Sequence, residues 1–446
     1  MATSFGPYAG LDEDAVAVLL HIGDDLSAAA VTQVHAAPDG TVWVRRGASL
    51  EHRAATGERI AAKDLTSVSE NQLVAPDEIV FHADGEITAV TLLVVARADG
   101  RPVFAAELRR LSHDLRDLRR VLVQGEATLT LPERHIVAED GSFTTEPGET
   151  LSQPGFAPRR FVADADGGLY AIERGRLVHL DARYAVVAAT WLSPDLELPI
   201  KRYVTIINER GETIQIPIRH QLMSGDLVVD QAQRIWAAFA APSFASPALT
   251  QHYGAPVELG DDGDLFVVRF SPALVPERVV SLPAPNVQDQ VPYLAKSAAG
   301  TIGVTSWSTE RRDIEPNKTF NGNVAFAVVD ADGQRLANGD LDLARDDQPI
   351  ALAPCADGFC IGGITDTKWV DTGSQVDFGK GFILQMTADG QRDRLWTLHG
   401  PRNNEVRSLA GSLDGVVFFS ATTNGPITHT DPAEGSRELI LGKLQL

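Results

Sequence analysis

The sequence predicts an all-β fold, a β-propeller of about seven four-stranded blades, on three observations. A tight turn between two short apolar runs recurs seven times, the runs are often apolar on both faces, and helical periodicity is almost absent between them.

The turn comes first in the argument. It stands at Asp39-Gly40, Asp84-Gly85, Asp166-Gly167, Ala299-Gly300, Asp357-Gly358 and Asp414-Gly415, with a degenerate copy at Gln231-Ala232-Gln233 ahead of Arg234-Ile235-Trp236. The spacings run from 45 residues (Asp39 to Asp84) to 82 (Asp84 to Asp166) and cluster near 60. A second turn follows within the repeat at Thr56-Gly57, Asp99-Gly100, Asp332-Gly333 and Asp389-Gly390, with a weaker copy at Asp181-Ala182-Arg183. Asp-Gly between apolar runs marks a hairpin, because glycine takes the positive φ that the turn needs.

The strands come second. Thr41-Val42-Trp43-Val44, Leu169-Tyr170-Ala171-Ile172, Ile235-Trp236-Ala237-Ala238 and Val416-Val417-Phe418-Phe419 do not alternate polar with apolar. A sheet with one wet face would alternate; strands apolar on both sides lie between two other layers. Propeller blades meet that condition. Parallel α/β sheets meet it too, but need a crossover helix after each strand. One helix is predicted, Glu107 to Arg120, where Leu108, Leu111, Leu115 and Leu118 recur at helical spacing.

The whole chain, 1–446, reads as a single domain with insertions at about 109–158 and 199–219. Residues 121–158 are poor in repeat signals and leave eight blades as the alternative count. The last repeat stops after its third strand, Leu439 to Leu446, while an unassigned strand, Ala15 to His21, precedes the first repeat. The N-terminal strand is therefore expected to complete the last blade and close the ring, which removes exposed edges.

The C-terminal third carries a family pattern. Gly381-Phe382-Ile383-Leu384-Gln385-Met386-Thr387-Ala388-Asp389-Gly390 leads into Leu395-Trp396-Thr397-Leu398-His399-Gly400, then Glu405 to Ala410 and Asp414-Gly415-Val416-Val417-Phe418. Over about residues 290–446 this resembles the SBBP-type repeat of bacterial seven-bladed β-propellers. The resemblance implies an exported bacterial protein of the envelope or exterior, and its motifs mark turns and packing, with no active site to carry over.

Charge and cysteines bound the partners and the compartment. A formal net charge of -21 repels phosphate backbones, so nucleic acid is a poor partner. No apolar run approaches the ~18 residues that span a membrane. Asp12, Glu13 and Asp14 stand where a signal peptide carries basic residues, so either the protein is cytoplasmic or a signal lies outside this numbering. Cys355 and Cys360 flank a predicted hairpin turn, at a spacing that suits a disulfide and hence an extracellular, periplasmic or outer-surface setting.

Function is expected on one face of the disc. With strands A to D in each blade, the Asp-Gly turns are the A–B and C–D connections. The long connections, about 242–260, 308–320, 366–379 and 422–436, are all B–C and emerge together on the opposite face. They carry Trp307, Arg311, Arg312, Asp366, Trp369, Asp371, His429 and Asp431 as candidate binding residues, with His252 and Tyr253 beside them. Aromatic rings with carboxylates and arginines suit a protein or polysaccharide partner. The chain holds no Gly-x-Ser-x-Gly and no His-Glu-x-x-His, and its eleven histidines include no i, i+4 pair. A non-enzymatic binding or scaffold role leads; the alternative is a calcium-dependent hydrolase or lactonase working in the central channel. No cofactor is expected apart from that calcium. Asp164-Ala165-Asp166 with Gly168, and Asp261-Asp262-Gly263-Asp264, hint at it, although turn aspartates explain both. Arg109, Arg110, Arg116, Arg119 and Arg120 read as the solvated face of the predicted helix, offset by Asp114 and Asp117.

Overall fold

The computed structural model describes residues 6–7, 17–25, 32–98, 100–152, 155–207, 213–260, 264–283, 291–310, 321–343, 347–355, 358–365, 368–369, 375–377, 379–398, 404–411, 415–423 and 437–446. Among them, seven antiparallel sheets of at least four strands follow one another along the chain. Blade 1 is Thr32–Ala36, Val42–Arg46, Ser49–Arg53 and Arg59–Asp64; blade 2 is Glu78–Phe81, Ile87–Ala98, Arg101–Leu111 and Asp117–Gln124. Blade 3 is Pro158–Ala163, Leu169–Glu173, Arg176–Leu180 and Val186–Trp191; blade 4 is Met223–Val229, Ile235–Ala241, Asp264–Phe270 and Pro276–Leu282. Blade 5 is Tyr293–Lys296, Ile302–Glu310, Asn321–Val329 and Arg335–Leu341; blade 6 is Gln348–Cys355, Gly358–Thr365, Lys380–Met386 and Arg392–Leu398. Blade 7 is Asn404–Gly411, Val416–Thr423 and Arg437–Gln445, and its outer strand is Ala17–Asp25 from the other end of the chain.

That last pairing closes the ring as expected. Ala17 faces Leu444 and Asp25 faces Arg437, and Gly6–Pro7 adds a further short strand outside. Packing gives the same answer independently. Among the described residues there are seven apolar cores, one for each junction between neighbouring blades, including Val34, Val42 and Val44 of blade 1 against Phe418 and Leu441 of blade 7. Sandwiching explains the doubly apolar strands: every residue of Leu169–Glu173 and of Ile235–Ala241 is buried. Each Val, Leu, Ile or Phe so enclosed contributes about 1.5–3 kcal/mol. Cys355 and Cys360 form a disulfide across the A–B hairpin of blade 6.

The recurring turns share one geometry. In blade 1 the Ala37 N–H bonds the Thr41 carbonyl and the Gly40 N–H bonds the Ala37 carbonyl; the same pair of bonds recurs at Asp330–Gln334, Thr387–Gln391 and elsewhere. The fourth residue is left-handed, which glycine accepts freely. Four turns put a larger residue there: Leu115 (φ 64), Tyr184 (φ 66), Gln233 (φ 61) and Leu274 (φ 61). Leu115, Tyr184 and Leu274 are buried, so their packing offsets the strain.

Two expectations fail in blade 2. Glu107 to Arg120 is a β-hairpin, formed by the ends of Arg101–Leu111 and Asp117–Gln124 with a turn over Ser112–Arg116. Leu108 and Leu111 are buried strand residues, Leu115 occupies the left-handed turn position and Leu118 is 51 % exposed. Sheet neighbours on both sides override the local helical spacing. Residues 109–124 accordingly belong to blade 2 and not to an insertion, and Gly100 lies in its B–C connection rather than its C–D turn, with Asp99 outside the described residues. The five arginines are largely tied down. Arg110 is buried against Glu86, Arg109 holds Asp117, Arg120 holds Glu107 and Arg119 donates to the Ala182 carbonyl.

Residues 128–152 form two small hairpins, Thr128–Thr130 with Thr150–Ser152 and Arg134–Val137 with Phe143–Glu146, so they are not an eighth blade. Arg134–Val137 also pairs with Asp195–Glu197, and Ile200–Ile207 pairs with Thr213–Arg219. Both regions are D–A connections. They emerge on the same face as the B–C loops, where the blade 4 loop folds into the helix Ser246–Tyr253. That helix packs onto the connection after blade 3: His252 Nε2 lies 3.2 Å from the Trp191 carbonyl, and the Tyr253 hydroxyl donates to the Leu192 carbonyl. One face of the disc thus carries tight turns and the other carries every large elaboration described.

Candidate functional site

The A strands of all seven blades line a central channel with a cavity of about 600 Å³. Its wall is mostly apolar, with Val34, Phe81, Val162, Val228, Leu294, Leu352 and Leu409 coming from blades 1 to 7 in turn. His35 stacks flat on Phe81 at 3.8 Å, and burial lowers its pKa to about 4.

A charged collar stands where the A strands begin, at the loop face. Blade 1 supplies Gln33, blade 2 Glu78, blade 3 Arg160, blade 4 Asp226, blade 5 Tyr293, and blade 7 Glu405 with Arg407. Gln33 ties blade 1 to blade 2 through the carbonyl and N–H of Ile79, at 3.2 and 3.3 Å. Arg160 Nε pairs with Asp226 Oδ1 at 3.1 Å, and Asp226 Oδ2 accepts from the Leu294 N–H at 3.4 Å. Glu78 accepts from the Phe161 N–H at 3.1 Å. Arg407 donates to Glu405 at 2.9 Å and to the Thr422 hydroxyl at 3.1 Å.

Backbone irregularities aim these side chains. Arg160 is an extra residue in the blade 3 A strand, between Arg159 and Phe161 of the regular register, and its φ is +57°. The register also breaks between Ser224 and Leu227, around Asp226, and between Val406 and Ser408, around Arg407. Such bulges re-aim side chains beside functional sites. Close approach requires a glycine at 225, because a Cβ there would meet the Pro292 carbonyl oxygen at 2.0 Å.

The charges interact across the axis. Burial pushes Glu78 up to about 7; the Phe161 N–H and Arg160 pull it down, and Asp226, two blades away, pushes it further up. Burial also raises Asp226, against the pull of Arg160, although its side chain is still 23 % exposed. That exposure leaves it some contact with water, but much of its hydration is gone. Tyr293 is raised by burial first, then by Asp226 and Glu405. Arg45, buried beside this ring, donates to the Pro76 carbonyl. The ring offers a carboxyl able to exchange a proton near neutrality, a held guanidinium and a phenol. That set can grip a polar group presented at the axis.

The collar does not fit calcium, which takes six to eight oxygens. Asp226 and Glu405 are each paired to an arginine, and Arg160 brings a positive charge into the ring. Asp164 does not fit either. Its Oδ1 accepts from the N–H groups of Asp166 and Gly168, at 2.9 and 2.5 Å, and its Oδ2 meets His179 Nε2 at 2.8 Å. Asp264 is buried and accepts from the Gly260 N–H, while Asp261, Asp262 and Gly263 lie outside the described residues.

Of the side chains expected to bind, Trp307 lies half-buried in the blade 5 B strand, and its indole N–H is buried without a hydrogen-bond partner among the described residues. Trp369 lies in the short strand Lys368–Trp369 within the blade 6 loop. Arg311, Arg312, Asp366, Asp371, His429 and Asp431 lie outside the described residues. His252 and Tyr253 pin the blade 4 loop to its neighbour. Sequence reasoning missed the collar, although a signal exists. In blades 1 to 5 a polar residue stands five or six positions ahead of the recurring turn: Gln33, Glu78, Arg160, Asp226, Tyr293. Aligning the repeats on the turn, rather than searching the loops, exposes it.

Neither family models nor curated proteins match the chain. Solved structures do. The WD40 domain of Neurospora crassa Pan2 is 7% identical, with 99% of this chain and 96% of that chain covered and a TM-score of 0.46. The PQQ-bound aldose sugar dehydrogenase of Streptomyces coelicolor is 12% identical, with 96% and 98% covered and a TM-score of 0.31. A protein of unknown function from Bacteroides caccae is 8% identical, with 76% and 94% covered and a TM-score of 0.33. At these scores the fold assignment rests on the strand order and the seven cores described above.

Proposed function

We propose that this chain is a non-enzymatic binding or scaffold propeller that takes a protein or glycan partner on its loop face, with the charged collar as the anchor point. One observation carries the reading. Arg160 is held at φ +57° in a bulge, ion-paired to Asp226, at the channel mouth on the one face that the chain elaborates. A left-handed arginine costs about 1–3 kcal/mol and persists where its placement serves a purpose. The B–C loops with Trp307, Arg311, Arg312, Asp366, Trp369, Asp371, His429 and Asp431 would extend the contact outward from this anchor. Pull-downs and glycan arrays with Arg160→Gly, and with all four B–C loops shortened, test it. Both variants should lose the partner; full binding by both would remove the proposal.

The bacterial envelope or exterior is the proposed setting, with the SBBP-type propellers as the proposed kin. The disulfide Cys355–Cys360 supports an oxidising compartment. No helix among the described residues is long and apolar enough to cross a membrane. Thiol labelling of protein taken directly from cells should find no free cysteine; two labelled thiols would argue for a reducing compartment.

A second reading, a hydrolase acting at the same collar, has one observation in its favour. Glu78 is half-buried at the channel mouth, and that burial pushes its pKa up to about 7, the range that suits a general acid or base. Under that reading Glu78→Gln abolishes turnover of a bound substrate while leaving its affinity intact. Under the binding reading there is no turnover to lose.

A further inference from the structure

We propose that Asp39, His52 and His113 form a binding site for a divalent transition metal, zinc in the first instance, at the turn face across the junction of blades 1 and 2. The three residues come from separate elements. Asp39 lies in the A–B turn of blade 1, His52 in its strand Ser49–Arg53, and His113 in the C–D turn of blade 2. One carboxylate oxygen and one ring nitrogen from each imidazole all lie within 4.8 Å of one another. Ligands of a tetrahedral zinc stand about 3.3–3.6 Å apart at the usual ~2.0–2.2 Å bond lengths. Asp39 and His113 are exposed in their turns and need only a small closing movement.

The surroundings hold two of the three donors in place. The Thr41 hydroxyl donates to Asp39 Oδ1 at 2.6 Å and meets His52 Nε2 at 2.7 Å. Trp43 stacks on His52 at 4.1 Å and meets the edge of His113 at 5.5 Å, and the two imidazoles cross at 5.0 Å. Two imidazoles and one carboxylate suit zinc, nickel or cobalt rather than calcium or magnesium. A fourth position stays open to water, and the metal would clip one blade to the next.

The site lies on the face opposite the collar, so it stands or falls independently of the proposed partner. The test is calorimetry of the untagged full chain with Zn²⁺ alone, repeated with Co²⁺ and followed by its visible absorption. One equivalent should bind, with cobalt bands of a nitrogen- and oxygen-ligated centre. Asp39→Asn and His113→Ala, both at exposed turn positions, should each weaken binding by at least about tenfold. Absence of a saturable single site, or equal affinity in both variants, would leave the trio as aromatic packing and overturn the proposal.

Discussion

The two faces of this disc are built from the same strands and obey different rules. On the turn face the A–B and C–D connections repeat one tight geometry around the ring, and where a bulky residue takes the left-handed position it is generally buried. On the loop face the connections differ from blade to blade, and the left-handed residue that matters, Arg160, is 40 % exposed on its side chain and engaged with a charge. Strain is offset by packing on one side. On the other, under the proposed function, it aims a side chain at the channel mouth. The comparison teaches that an unusual backbone angle invites a functional reading where burial does not already explain it.

The largest expected effect lies on the turn face. The Asp230 side chain is 2 % exposed and serves the N–H groups of Ala232 and Arg234, the Arg234 guanidinium at 2.7 Å and the Trp236 indole at 3.1 Å. Asp230→Ala should lower stability by about 3 kcal/mol in denaturant unfolding, since it strands the buried Trp236 indole N–H, two turn N–H groups and part of the half-buried Arg234 guanidinium. A loss under about 1 kcal/mol would show the turn face to be as tolerant as the loop face.

The faces should next separate by pH. Glu78 is raised from its ordinary 4.5 to about 7, so its contribution to stability is fully present below 4.5 and lost as pH rises through 7. On the turn face Asp117 is depressed, first by Arg109 and then by Lys63, so its contribution is present above pH 4 and lost as pH falls further. Glu78→Gln should flatten the fall between pH 5 and 8, by an order of 1–3 kcal/mol, and leave the acid limb unchanged. An unaltered slope there would mean that the collar carboxyl is well hydrated.

Glycine at left-handed positions sharpens the contrast further. Leu274→Gly removes strain but also a core side chain that is 3 % exposed, and should destabilise by about 2 kcal/mol. Arg160→Gly should stabilise by up to about 1 kcal/mol, because the pair it breaks is partly exposed and its backbone relaxes. Loss of stability in both would place Arg160 among structural residues. The smallest effect belongs to Arg97 and Glu70, 55 % and 38 % exposed, at 2.7 Å. Arg97→Ala should stay within about 0.5 kcal/mol.

The ring was legible because its turns are local. Asp39-Gly40 or Asp84-Gly85 announces itself in two residues, and the closing strand follows from a last repeat that stops one strand short. Blade 2 was misread for the opposite reason. Leu108, Leu111, Leu115 and Leu118 carry a helical spacing, and only pairing with distant neighbours makes them a hairpin; His113 sat unnoticed inside that misreading. Which face carries the long connections was legible from their lengths. The collar was not, because Glu78 and Asp226 are 148 positions apart in sequence and meet only when several blades have taken their places around the axis.

Closure by the pairing of Ala17–Asp25 with Arg437–Gln445 sets a schedule for synthesis. Blades 1 to 6 can each form as their own strands emerge, yet the circle stays open until the last strand, Arg437–Gln445, has been made. For most of its translation the nascent molecule is a curled ribbon with a bare end, in need of protection or haste. A ribosome that stalls before residue 437 would release a product already folded in its middle and unable to lock.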